Sequence, residues 1–211
     1  MSAILDWLAL GGPVMWILAV LSVLGLTLIL AKLWEFTEQK VWSRDFVAPA
    51  LQLWRGGQAE QALALLSAHP GPLAALLAVA VRERQAGTAL PDARERLAAL
   101  AAVHLDRARS LFRPLEVIAT LAPLLGLLGT VLGMIEAFQR LQAAGERVDP
   151  ALLSGGIWEA LLTTAAGLIV AIPAVAALNG LERVVETLHR DLEAALSELL
   201  THHPGAAVPA R

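Results

Sequence analysis

The chain has 211 residues, of which 57% are apolar and only 17% charged. Average soluble proteins stand at roughly 45–50% and about 25%, so disorder is excluded and an ordinary soluble enzyme disfavoured. The net charge of −3 speaks against nucleic-acid binding, and the absence of cysteine removes disulfide scaffolds, cysteine-ligated zinc and thiol catalysis.

Three uncharged stretches account for the apolar excess. The first runs from Trp7 to Ala31, the second from Val117 to Ile135 and the third from Ala160 to Leu181. A helix crosses about 30 Å of hydrocarbon with about 20 residues, and none of these stretches carries the polar face of a soluble helix. They are read as transmembrane helices. The first is too long for a secretory h-region and lacks a basic n-region, so it is read as retained.

Between the first two spans, four helical segments are expected. Val41–Trp54 has apolar residues near helical spacing and stops at Gly56-Gly57. Gln58–Ser67 stops at His69-Pro70-Gly71-Pro72, and Leu73–Gln85 stops at Gly87. Pro91–Leu111 is expected to run on through Pro114 into the second span. After the third span, Leu181, Val184, Val185, Leu188, Leu192, Ala195, Leu196 and Leu199 form an amphipathic stripe. That span should therefore extend past the membrane and pack on the fourth of these helices.

The fold expected is all-α, with three transmembrane helices and a helical cytoplasmic domain. Residues 1–35 hold the first span after a short periplasmic N-terminus, and 36–114 the cytoplasmic domain. Residues 115–181 form a transmembrane hairpin with a short periplasmic loop, and 182–211 a cytoplasmic helix and tail. Lys and Arg set this orientation. Eleven lie between Lys32 and Arg113, two in the hairpin loop (Arg140 and Arg147), and none before Lys32. The positive-inside rule then puts the N-terminus outside and the C-terminus inside.

No phosphate-cradling loop, metalloprotease helix or nucleophile elbow is present, so no enzyme and no cofactor are expected. The charges between residues 82 and 113 read as a solvated helix face. His202-His203 could hold a metal, but a polar tail explains the pair better, and no metal site is expected.

The informative residues lie in spans two and three. Gly126, Gly129 and Gly133 allow close helix approach, Gly129 and Gly133 as a GxxxG pair. Glu159 opens the third span, where an ionisable group either is solvated at the interface or faces an aqueous pathway. Thr130 and Thr164 fall at similar depths, roughly 12 and 9 Å below the outer end. Their hydroxyls can both donate and accept, and so can solvate a carboxyl that changes charge. No Asp or Glu of this chain lies at that depth, so a partner would have to bring it. Glu159 and Thr164 stand about 140° apart around an ideal helix, whereas Thr163 is about 40° from Glu159. Whether Thr163 or Thr164 faces a pathway is left open by angle.

Ala122-Pro123-Leu124-Leu125-Gly126-Leu127-Leu128-Gly129-Thr130-Val131 resembles the second-span signature of the ExbB/TolQ/MotA proton-channel family. Glu159-Ala160-Leu161-Leu162-Thr163-Thr164-Ala165-Ala166-Gly167-Leu168, followed by Ala171-Ile172-Pro173-Ala174 and Asn179, resembles its third-span signature. Three spans fit the ExbB and TolQ branches better than the four-span MotA branch. Trp158 departs from the small residue expected before the glutamate.

The resemblance implies a bacterial inner-membrane homo-oligomeric channel, a pentamer around an ExbD-like single-span partner that carries the membrane Asp. It implies that proton flow energises a TonB-like protein and outer-membrane transport. It implies Thr130, Thr164 and Glu159 as pore-lining residues on the proton pathway; the subunit as a whole is expected to contact membrane lipid and no nucleic acid. A TolQ-type subunit serving envelope integrity and a non-conducting membrane scaffold are the alternatives.

Overall fold

The computed structural model describes residues 12–143 and 150–201, and the described residues hold seven helices and no strand. They are α1 Gly12–Glu38, α2 Val47–Arg55, α3 Ala59–Ser67, α4 Pro72–Gln85, α5 Leu90–Ala108, α6 Phe112–Ala143 and α7 Pro150–Thr201. The expected N-terminal segment, the hairpin loop around Gly145 and the tail with His202 and His203 lie outside the described residues. Three helices, α1, α6 and α7, are long and apolar enough to cross a membrane.

The chain forms two compact units. One contains α1 up to Ala31, α6 from its preceding Leu111, and α7 up to Asn179. Val14, Met15, Leu18, Ala122 and Ala171 form its core, with Leu125, Leu162, Ala166 and Val170 packed against them. Outside this narrow core the helices expose apolar side chains, Ile169 at 71% and Val23 at 67%. Such surfaces suit hydrocarbon or other membrane helices and are too apolar for water. Pro123 and Pro173 sit inside α6 and α7. Each removes one backbone donor, which apolar helices tolerate where neighbouring groups re-satisfy the backbone.

The other unit contains residues 32–110 and the part of α7 from Gly180 onward. Its central helix is α4, buried on more than one face by Leu73, Leu76, Leu77 and Val81. Trp54, Leu66 and Leu97 complete the core from α2, α3 and α5. Leu181, Val185, Leu188, Leu192, Ala195 and Leu199 of α7 are buried, at alternating spacings of four and three, so the apolar stripe is a packed face. α5 and α7 together line a groove of about 560 Å³. The third span continues into this stripe as one helix of 52 residues. Ion pairs from Arg44 to Asp191 and from Arg55 to Glu198 tie the α2 region to α7.

Two expected helix boundaries are corrected. Val41–Trp54 is not one helix, because α2 begins only at Val47. Lys40 takes the left-handed conformation at φ 45° and ends α1. The Val41 N–H then reaches back to the Phe36 carbonyl at 3.1 Å and the Lys40 N–H to Thr37 at 3.1 Å, a Schellman closure. Nor does α5 run on through Pro114. α5 ends at Ala108, Leu111 stands at φ 68°, and α6 starts at Phe112. The Pro114 ring would collide with the Ser110 carbonyl in a continuous helix, whereas in the first turn of a new helix it is harmless.

Gly71 shows a turn in which only glycine fits. Its φ is 114°, and a Cβ there would stand 2.6 Å from the Gln39 carbonyl oxygen.

Candidate functional site

α6 and α7 meet along a seam of small residues. On α6 the seam is Ala122, Gly126, Gly129, Gly133 and Ala137, spaced four, three, four and four residues apart. On α7 it is Gly156, Ala160, Thr163 and Gly167, met in the opposite direction. A Cβ on Gly167 would lie 2.6 Å from the Ala122 carbonyl, and one on Gly156 would lie 2.5 Å from the Ala137 Cβ. A Cβ on Gly129 would lie 2.4 Å from Thr163 Oγ1, and one on Gly133 would lie 3.2 Å from the Ala160 Cβ. Each glycine costs about 1 kcal/mol of helix propensity, and in return the two backbones approach closely enough for van der Waals contact.

This contact joins two helices of one chain. Gly126 and Gly129 are buried and Gly133 partly so. No packing role is read from the sequence for the α7 half of the seam, where Thr163 stands only as a pathway candidate. Its signal was present as small residues at 156, 160, 163 and 167, the same spacing that drew attention to span two.

The threonines take three different positions. Thr163 is only 2% exposed, and its hydroxyl donates to the Ala160 carbonyl at 2.7 Å. Thr164 is half-buried and donates across the seam to the Gly126 carbonyl at 3.1 Å. Thr130 is half-buried on α6 and donates to the Leu127 carbonyl at 2.6 Å. Gly129, just before Thr130, faces Thr163, just before Thr164, so Thr130 and Thr164 lie within about a turn of each other along the hairpin. Glu159 is half-buried on α7, between the exposed Trp158 and the buried Ala160.

Chemically, the site offers two hydroxyls whose protons are committed to backbone carbonyls. Each oxygen keeps lone pairs free to accept a further hydrogen bond. Such a site suits a protonated carboxyl, which is a donor. A carboxylate, which only accepts, would require the hydroxyls to rotate. Among the described residues no group of three or more His, Asp or Glu side chains is placed to hold a metal.

Comparison with known proteins agrees with this architecture. The sequence profile of the MotA/TolQ/ExbB proton channel family matches residues 68–194. That is more than half of the chain, and it includes the whole α6–α7 seam; the chain belongs to this family. It is 52% identical over 64 residues to biopolymer transport protein exbB1 of Vibrio cholerae, covering 30% of this chain and 28% of that protein. It is 45% identical over 82 residues to ExbB of Neisseria gonorrhoeae, covering 39% and 37%. The Tol-Pal system protein TolQ of Haemophilus influenzae is 39% identical over 87 residues, covering 41% and 38%. The matches thus span less than two fifths of the length of each of these relatives.

Proposed function

We propose that this protein is an ExbB-type subunit of an inner-membrane proton channel, oriented with its N-terminus in the periplasm. It assembles as a homo-oligomer, with a pentamer expected, around an ExbD-like single-span partner. It uses the proton gradient to energise a TonB-like protein for outer-membrane transport. The observation that carries this reading is the placement of Thr130 and Thr164 within a turn of each other in the hairpin, with acceptor lone pairs free and no Asp or Glu of this chain at that depth. A partner Asp, when protonated, finds acceptors there. When ionised, it finds donors after the hydroxyls turn. Glu159 at the start of the span supplies a proton relay towards the outer aqueous phase.

Each proton moved across 100 mV releases about 2.3 kcal/mol, so a few protons suffice for a mechanical step. The test is co-expression with an ExbD-like partner in cells lacking their own energiser, with TonB-dependent uptake as the readout. Restored uptake that is lost with the Thr130→Val, Thr164→Val pair, at unchanged abundance and complex formation, is the expected result. Normal uptake with that pair would remove the hydroxyls from the proton path. The TolQ likeness supports a second reading, a subunit serving envelope integrity. Rescue of detergent sensitivity without rescue of uptake would select it.

A further inference from the structure

Lys32 is the first charged residue after the uncharged stretch that begins at Trp7, and yet it is only 1% exposed. A lysine at the end of a span ordinarily extends its stem and leaves the ammonium among water and headgroups. Here the ammonium turns inward. It donates to Glu35 Oε2 at 2.9 Å, to Ser110 Oγ at 3.0 Å and to the Arg107 carbonyl at 3.3 Å. It also stands 5.1 Å from the centre of the Phe36 ring, within cation–π range.

Two of these partners mark where α5 stops. Arg107 is the penultimate residue of α5, and Ser110 immediately precedes Leu111, the left-handed residue before α6. The last carbonyls of a helix lack partners within it and carry the negative end of its dipole. A cation there is favourable, and usually the helix supplies one from its own last turn. In α5 that residue is Arg107, whose exposed side chain is on the surface; the buried cation comes from α1. A left-handed leucine costs about 1–3 kcal/mol and persists only where its surroundings hold it.

We propose that Lys32 is a positioning residue that caps the C-terminus of α5 from a different helix and holds the Arg109–Leu111 corner in one conformation. The break after α5 places Pro114 in the first turn of α6, where its missing N–H and its ring cost nothing. Its rigidity comes from the ammonium, which fixes Arg107 and Ser110 to α1 through a single buried group. Glu35, itself bonded by Gln39 Nε2 at 3.2 Å, keeps the ammonium balanced in place. This assignment does not depend on the proposed function.

The test is amide hydrogen exchange on the full chain in detergent or lipid discs, comparing Lys32→Met and Ser110→Ala with the unaltered protein. Lys32→Met retains the stem and removes the charge. It should raise exchange at least tenfold in the peptide 109–116 and leave the α6–α7 seam and the α2–α4 core unchanged. Ser110→Ala should raise it severalfold in the same peptide. Lys32→Arg should fall between the unaltered protein and Lys32→Met. Unchanged exchange at the corner in either variant overturns the assignment. So does a loss of protection spread over the whole 32–110 segment, which would make Lys32 a general packing group. Ser110→Ala leaves the ammonium bonded to Glu35 and to the Arg107 carbonyl, and carries the test by itself if Lys32→Met does not fold.

Discussion

The Thr164 hydroxyl donates across the hairpin to the Gly126 carbonyl at 3.1 Å, so that a side chain of α7 is anchored on the backbone of α6. Glycine at 126 favours this approach, since a Cβ there would lie 3.1 Å from the Thr164 Cα and 3.0 Å from the Thr163 carbonyl oxygen, tighter than ordinary van der Waals contact. Packing and polar chemistry therefore share the same residues, and substitutions in the seam should separate into steric and hydroxyl classes.

The steric class follows the distances. Gly129→Ala places a methyl 2.4 Å from Thr163 Oγ1, Gly133→Ala places one 3.2 Å from the Ala160 Cβ, and Gly155→Ala meets nothing within 4 Å. Overpacking typically costs about 1–3 kcal/mol. Thermal unfolding in detergent should rank the losses Gly129→Ala, then Gly133→Ala, with Gly155→Ala neutral or slightly stabilising. Equal losses at 129 and 155 would show that helix propensity, and not the seam, decides.

The hydroxyl class concerns function. Thr→Val keeps the branched shape and deletes the donor and acceptor. Thr164→Val gives up one hydrogen bond worth about 1 kcal/mol, so the protein should still assemble. Loss of uptake from Thr164→Val with near-normal uptake from Thr163→Val is expected, because the Thr163 hydroxyl is buried against the Ala160 carbonyl. The opposite ranking would assign the pathway to the Thr163 side of α7.

Glu159 is half-buried at the start of the third span, and its substitutions distinguish charge from hydrogen bonding. With Glu159 as a proton relay, Glu159→Gln should lose uptake as completely as Glu159→Ala. Partial uptake with Glu159→Gln would reduce Glu159 to a hydrogen-bonding group. Both variants should show unchanged thermal stability, which is the control.

Topology can be read with single-cysteine variants, since the native chain has no cysteine. An impermeant thiol reagent applied to intact spheroplasts should label Gly145→Cys and spare Arg94→Cys until lysis. Labelling at 94 alone would reverse the orientation inferred from Lys and Arg placement.

The apolar stripe on the C-terminal part of α7 makes a stability prediction. Leu192 is 1% exposed, and Leu192→Ala should destabilise the unit containing residues 32–110 by about 2–5 kcal/mol. Leu196 is half-buried beside the groove, so Leu196→Ala should cost clearly less. Denaturant titration followed by hydrogen exchange checks the difference.

Hydropathy and spacing made three spans, four short helices and an amphipathic extension legible in the sequence. These are local properties, read from stretches of about 20 residues or from the period of one helix. The glycines of span two are legible for the same reason, and the signatures of spans two and three point to the family from sequence alone. Tertiary structure alone decided that Gly129 meets Thr163, that Thr164 reaches Gly126, and that the ammonium of Lys32 turns inward to the end of α5. It also decided that α5 stops at Ala108, although Pro114 was visible, because the corner depends on which groups surround Leu111. The pairing of two helices is set by how their small residues interlock and which donors find acceptors across the gap. Those are relations between distant parts of the chain, and no periodicity within either helix contains them.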